Sequence, residues 1–269
     1  MIWLNGQLVA RDRARIDPAD RGFTLGDGLF ETIAARGGKI LRGPAHLARL
    51  RAGAGELRIP VPCDDATLAA ALIETARANA IEDGVLRLTL TRGPAPRGLG
   101  PPADARPTLL IAAESGLPPE TPARAVIARA ARRDEASVLC RVKSLNYLDG
   151  VRARLEAADA GADEAILLNT QGRIADGAAA SLFLFLGQWL VTPSLAEGAL
   201  PGIVRAAALR ELGAVERTLL PADILAADEA VLVNSLGART LIALDGRPVG
   251  SGVEGSWTGH LRALAHAEG

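Results

Sequence analysis

The chain has 269 residues, 49% hydrophobic and 23% charged, with a formal net charge of -1 at pH 7. That balance is ordinary for a globular protein and sets up no global field for nucleic acid or an anionic membrane. No run of about 18 apolar residues offers a membrane span. Two cysteines without metal-ligand spacing predict no metal site and fit free thiols in a reducing cytoplasm. Met1–Gly6 lacks the charged and apolar regions of a secretory leader, so a cytoplasmic location is expected.

In chain order, Ile2 to Leu8 reads as a hairpin turning at Gly6, and Arg36-Gly37-Gly38-Lys39 as a second turn. Leu47, Leu50, Ala54 and Leu57 stand near helical spacing within Pro44 to Leu57. Asp64 and Asp65 cap a helix running to Asn79. Leu86, Leu88 and Leu90 alternate with Arg87, Thr89 and Thr91, the pattern of a half-buried strand, and Thr108 to Ala113 is another. Pro118, Pro119 and Pro122 then interrupt any regular element, which predicts a domain of residues 1–116, a linker at 117–122 and a domain of 123–269. Beyond the linker, strands are expected at Ala123 to Ala131, Glu164 to Asn169, Ser181 to Leu186, Gln188 to Val191, Glu229 to Asn234 and Thr240 to Leu244. Thr170 to Arg173 is expected to join the second of these to the third. Helices are expected along Leu145, Leu148, Val151 and Leu155, from Gly202 to Leu212, and from Trp257 to Ala267. The alternation predicts two α/β (α+β) domains.

Chemistry concentrates in a few residues. Lys39 and Lys143 are the only lysines among 30 basic residues. An amine can lose its proton and condense with a carbonyl, which a guanidinium cannot do. Lys39 lies in a turn, where a solvated charge is ordinary. Lys143 lies between an apolar run and a helical pattern, where a Schiff-base lysine and a snorkelling lysine are both open readings. Leu200-Pro201-Gly202-Ile203-Val204-Arg205 sets a helix start whose free N–H groups suit a phosphate. Arg49 suits a phosphate clamp or a solvated helix position. Asp176 could face a cationic ring nitrogen or hold a turn. Gly22 to Gly28 is glycine-rich but lacks the Gly-Lys-Ser/Thr of a nucleotide loop and does not open a clear helix. An amine for an imine, a carboxylate for a pyridinium and an anion site together describe what pyridoxal 5'-phosphate needs.

Asp20-Arg21-Gly22, Gly26-Asp27-Gly28-Leu29-Phe30-Glu31-Thr32 and His46-Leu47-Ala48-Arg49-Leu50 resemble the N-terminal signatures of the class IV aminotransferases, the fold type IV pyridoxal-phosphate enzymes. Lys143-Ser144-Leu145-Asn146, Gly161-Ala162-Asp163-Glu164-Ala165 and Leu200 to Arg205 resemble the C-terminal ones, in family order. The resemblance implies a smaller N-terminal and a larger C-terminal domain, a homodimer, a small-molecule amino substrate and a cofactor pocket between the domains. It makes Lys143 the imine lysine and proton shuttle. Arg49 and the amides of Ile203 and Val204 hold the phosphate, with Ser235 or the amide of Leu236 beside them, and Asp176 faces the pyridine nitrogen. Asp176 departs from the family's usual glutamate, Val204 from its threonine and Ser181 from its asparagine.

Within the family, Asn146 stands where the D-amino acid and lyase branches place asparagine. Phe30 replaces the tyrosine of the D-amino acid branch, and Arg92 to Leu99 holds no histidine to complete that branch's carboxylate trap. Thr91-Arg92-Gly93, Arg97-Gly98-Leu99, Ala178 to Ala180 and Asn234 to Gly237 resemble 4-amino-4-deoxychorismate lyase, which releases pyruvate and p-aminobenzoate. Arg97, then Arg92, are the candidate substrate anchors. Phe30, Ala178 and Ala179 are the candidate pocket walls. The alternatives are a transaminase for D-amino acids or other primary amines, and a non-catalytic relative that binds the cofactor.

Overall fold

A computed structural model describes residues 1–268. The chain divides into two units: Met1–Pro118 with Val142–Asn146 and residues 267–268, and Pro119–Arg141 with Tyr147–His266.

In the first unit, β1 (Ile2–Leu4) and β2 (Gln7–Val9) form the expected hairpin. A short helix α1 (Arg21–Leu25) follows, with the Asp20 carboxylate accepting from the Gly22 N–H at 2.7 Å. The glycines around it had argued against a helix; the Asp20 cap supplies the start that composition hides. Strand β3 (Gly28–Arg36) turns at Gly37 and Gly38 into β4 (Lys39–Ile40). Helices α2 (Gly43–Leu57) and α3 (Asp65–Ala78) come next, α3 capped by Asp64 on the Thr67 N–H at 2.8 Å. Strands β5 (Gly84–Thr91) and β6 (Thr108–Ser115) complete an antiparallel sheet of order β2-β1-β6-β5-β3-β4. The two-residue strand period sends Leu86, Leu88, Leu90, Leu109 and Ile111 to one buried face with Leu29 and Ile33, where α2 packs on β3 and α3 on β6. Each such side chain contributes about 1.5–3 kcal/mol by leaving water. Phe30, Thr32, Arg87 and Thr89 alternate onto the opposite face.

The second unit begins with β7 (Ala123–Ile127), shorter than the expected strand to Ala131, and α4 (Leu148–Asp159). Then come β8 (Glu164–Leu168), β9 (Ile174–Gly177), β10 (Ser181–Leu186), β11 (Trp189–Pro193), α5 (Ile203–Glu211), β12 (Val215–Arg217), α6 (Pro221–Ala226), β13 (Glu229–Asn234), β14 (Gly237–Leu244), β15 (Arg247–Pro248) and α7 (Ser256–His266). The sheet runs β12-β11-β10-β13-β14-β7-β8-β9, with β15 on β14. β7 pairs in parallel with β14 and β8, and β12 with β11; the remaining pairs are antiparallel. Helices α5 and α7 cover a cluster of Phe183, Val231, Val233, Ala207 and Leu261.

Three expectations change. The turn at 170–173 leads into β9, and β9 lies between it and β10. Helix α4 buries Ala153 and Ala157, while Leu148, Val151 and Leu155 are half or more exposed, because small residues let the helix sit close on β7 and β8. Leu145 is outside that helix, and residues 142–146 group with the first unit although their chain neighbours do not.

Candidate active site

In the first unit, residues 143–145 lie along the start of β3 as an added strand. The Phe30 N–H donates to the Lys143 carbonyl and the Leu145 N–H to the Gly28 carbonyl, both at 2.9 Å. Leu29 and Ser144 form an antiparallel bridge, and Asn146 Nδ2 donates to the Gly26 carbonyl at 3.0 Å. The approach requires glycine at 28: a Cβ there would meet the Leu90 carbonyl oxygen at 2.6 Å and Leu145 Cδ1 at 2.8 Å. Two motifs more than a hundred residues apart in the chain are thus zipped together by backbone hydrogen bonds.

This fixes the backbone of Lys143, whose side chain is half-buried with Nζ 4.4 Å from the centroid of the Phe30 ring. The Arg87 guanidinium lies 3.7 Å from the same centroid. Phe30 is itself 5% exposed. Lys39 differs in every respect: its side chain is 65% exposed and pairs with Glu268 at 2.7 Å. The two lysines therefore differ in exposure and in what they touch.

On α2, Arg49 grips a buried carboxylate. Its Nε donates to Glu31 Oε1 at 2.8 Å and its Nη2 to Oε2 at 2.6 Å. His46 Nδ1 lies 2.6 Å from the same Oε2. Burial opposes the charge on Glu31, but the hydrogen bonds from Arg49 and His46 hold its carboxyl below the usual range. Burial pushes His46 down, with its bond to Glu31 acting the other way.

The two arginines named for a substrate carboxylate stand differently. Arg92 is 7% exposed and makes four hydrogen bonds, two to Asp27 and one each to the carbonyls of Leu57 and Arg58. It is a brace for the end of β5, and its forked donors are directed into the protein. Arg97 is exposed and lines a cavity of about 390 Å³ with Arg21, Leu25, Pro96 and Leu99. Arg21 holds the loop behind it, donating to the carbonyls of Gly98, Leu99 and Gly100.

In the second unit, Asp176 sits on β9 with 6% exposure. Its Oδ2 accepts from the Leu200 N–H at 3.1 Å, while Oδ1 is buried with no hydrogen-bond partner among the described residues. Burial pushes this carboxyl up to about 7, against the opposing pull of Arg133, the Leu200 amide and Arg205. An orphaned buried acceptor of this kind is costly unless a donor meets it.

Ile203 and Val204 form the first turn of α5 behind Gly202, and no side chain caps that helix start. Its leading N–H groups have no acceptor within the helix. Ser235 and Leu236 are half-buried, and the Leu236 amide donates to Asn234 Oδ1 at 2.9 Å, so an Asx turn already uses that donor. Ala178 is buried, its N–H on the Ala165 carbonyl at 2.9 Å; Ala179 is exposed, its carbonyl accepting from Asn234 Nδ2 at 3.2 Å.

Glu31, His46 and Arg87 lie against the candidate residues Arg49 and Phe30, and reasoning from sequence did not single them out. Alternation in β5 carried the signal for Arg87, since a residue between buried leucines must project from the other face.

The amino-transferase class IV family profile matches residues 28–242. Over 97% of its length the chain is 32% identical to a Methanocaldococcus jannaschii protein named "Putative branched-chain-amino-acid aminotransferase", covering 93% of it. It is 30% identical to a D-alanine aminotransferase of Bacillus licheniformis over 97% of this chain and 94% of that one. An aminodeoxychorismate lyase of Bacillus subtilis shares 29% identity over 88% and 83%. Among solved structures, the branched-chain amino acid aminotransferase from Escherichia coli superposes with a TM-score of 0.90 at 28% identity, over 97% of this chain and 90% of that one. The chain belongs to the amino-transferase class IV family, whose members are pyridoxal-phosphate enzymes.

Proposed function

We propose that this chain uses pyridoxal 5'-phosphate to release pyruvate from 4-amino-4-deoxychorismate, as a lyase acting in the cytoplasm as a homodimer. The residues fit the cofactor. The orphaned Asp176 Oδ1 wants a cationic N–H such as a protonated pyridine nitrogen offers. The uncapped first turn of α5 at Ile203 and Val204 suits a phosphate, as does Arg49, with Ser235 as a further candidate contact. Lys143 offers a half-buried amine for the aldehyde. When bound, the cofactor supplies an electron sink for the pair left on carbon when a proton departs.

The remaining chemistry falls to the chain. Lys143 is the general base, taking the ring proton from the substrate. The C–O bond to the enolpyruvyl group then breaks, that group leaves as pyruvate with a proton gained, and the ring becomes aromatic. The observation that carries this reading is the Phe30 ring, with Lys143 Nζ at 4.4 Å and the Arg87 guanidinium at 3.7 Å from its centroid. A flat apolar wall beside the base supports a ring substrate, and an arginine on that wall supports a carboxylate on it. Arg87 thereby joins Arg97 as anchor for a substrate that carries two carboxylates, in the place that Arg92 leaves open. Ala178 and Ala179 remain candidate wall residues of little bulk.

Transamination is the second reading, favoured by relatives named aminotransferases. It needs the same lysine and the same cofactor contacts. The purified, cofactor-loaded chain is given chorismate and an ammonia-dependent synthase. Appearance of p-aminobenzoate is the expected result. Amino exchange between D-alanine and 2-oxoglutarate with no p-aminobenzoate would overturn the lyase reading in favour of the second; binding without either turnover would favour a non-catalytic relative. In the active enzyme, Arg87→Ala should raise KM about tenfold or more, with less change in kcat.

A further inference from the structure

We infer that Glu31 is a positioning residue for the phosphate clamp: its buried carboxylate sets the plane of the Arg49 guanidinium. The inference rests on the proposed phosphate role of Arg49. Glu31 is 1% exposed at the side chain and Arg49 12%, so the pair is largely removed from water. A guanidinium held by one hydrogen bond can pivot; one held through Nε at 2.8 Å and Nη2 at 2.6 Å cannot. The carboxylate is fixed in turn, because His46 Nδ1 bonds the oxygen that Nη2 holds. Helix α2 places His46 and Arg49 three residues apart, on one face, so a single carboxylate from β3 meets both.

Stability is a poor reason for this arrangement. Taking a carboxylate and a guanidinium out of water is unfavourable, and well-packed apolar residues of similar volume generally stabilise a core as well or better. What the triad provides is direction. The bidentate grip through Nε and Nη2 sets the plane in which the guanidinium lies. A phosphate met by an arginine already aligned loses less freedom on binding than one met by a mobile side chain.

The test separates phosphate recognition from general integrity. Pyridoxamine 5'-phosphate and pyridoxamine, which differ only in the phosphate, are titrated by fluorescence into the cofactor-free full chain, Glu31→Gln, Arg49→Lys and the double variant. Glu31→Gln should weaken the phosphorylated ligand about tenfold while changing the other less than about twofold. Arg49→Lys should do likewise, and the double variant should lose no more than the worse single, because both changes disable one clamp. If Arg49→Lys is phosphate-selective and Glu31→Gln weakens both ligands equally or neither, the positioning role is overturned while the Arg49 role stands. If Arg49→Lys shows no phosphate selectivity, the proposed phosphate contact itself fails. Should Glu31→Gln not fold, Glu31→Asp and His46→Gln carry the same comparison with the same two outcomes.

Discussion

The surroundings of a charged side chain, more than its type, decide what it does. Arg92 and Arg87 lie five residues apart, yet the first is braced by Asp27 and two carbonyls while the second rests on an aromatic face. Composition treats them alike, and only the alternation of β5 separates them. Asp176 shows the complementary case, an acid lacking a donor. Its folded-state value of about 7 lies above the ordinary 3.8, so the folded chain binds this proton more tightly than the unfolded one. The stability it contributes is full below pH ~4 and is lost as pH rises through ~7. The cofactor-free protein should therefore melt at progressively lower temperature across that window, and Asp176→Asn should flatten this component; thermal melts by circular dichroism at stepped pH check it. A ring-nitrogen cation opposite Oδ1 would reverse the trend, so the loaded enzyme should hold its midpoint towards neutral pH. Lys143→Ala should abolish the visible absorbance of the loaded enzyme and lower kcat roughly 10²–10⁴-fold; an unchanged spectrum would remove Lys143 from its role.

Elements with a clean period were legible from sequence, and those shaped by distant partners were not. Leu86, Leu88 and Leu90 announced β5, and Asp64 announced α3. Strand β3 went unnamed because Gly28 to Arg36 is buried along most of its length and shows little alternation. The small residues of β9 concealed it in the same way. On α4, three large apolar residues suggested the buried stripe, yet alanines form it, since close packing of helix on sheet favours small side chains. The site motifs were legible as motifs, but nothing local told that 143–145 would pair with 28–30. The loop after β5 gives a further test. Gly93 has φ +87°, and a Cβ there would lie 1.7 Å from the Arg106 carbonyl oxygen. Gly93→Ala should cost about 2 kcal/mol or more, seen as a lowered urea midpoint with unchanged slope.

At the scale of the molecule, chain order and structural membership part company. Residues 142–146 follow the linker by some twenty positions in sequence, yet belong to the first unit, as do residues 267–268. A proline-rich stretch such as 117–122 marks a break in regular structure and carries no information on which later segments return to an earlier unit. Among the described residues no helix is long and apolar enough to cross a membrane. Cofactor binding that favours the folded chain should raise the melting midpoint with cofactor concentration, by the logarithm of its excess over Kd. Sedimentation velocity of the loaded protein tests the proposed homodimer.

The scarcity of lysine also makes this protein readable by chemistry. An acylating reagent selective for ε-amines has two targets in the whole chain, one open to water and one half-buried against an aromatic ring. The exposed amine serves as an internal standard, so the ratio of acylation at the two peptides, read by mass spectrometry, reports shielding at position 143 directly, without turnover and without knowing the substrate.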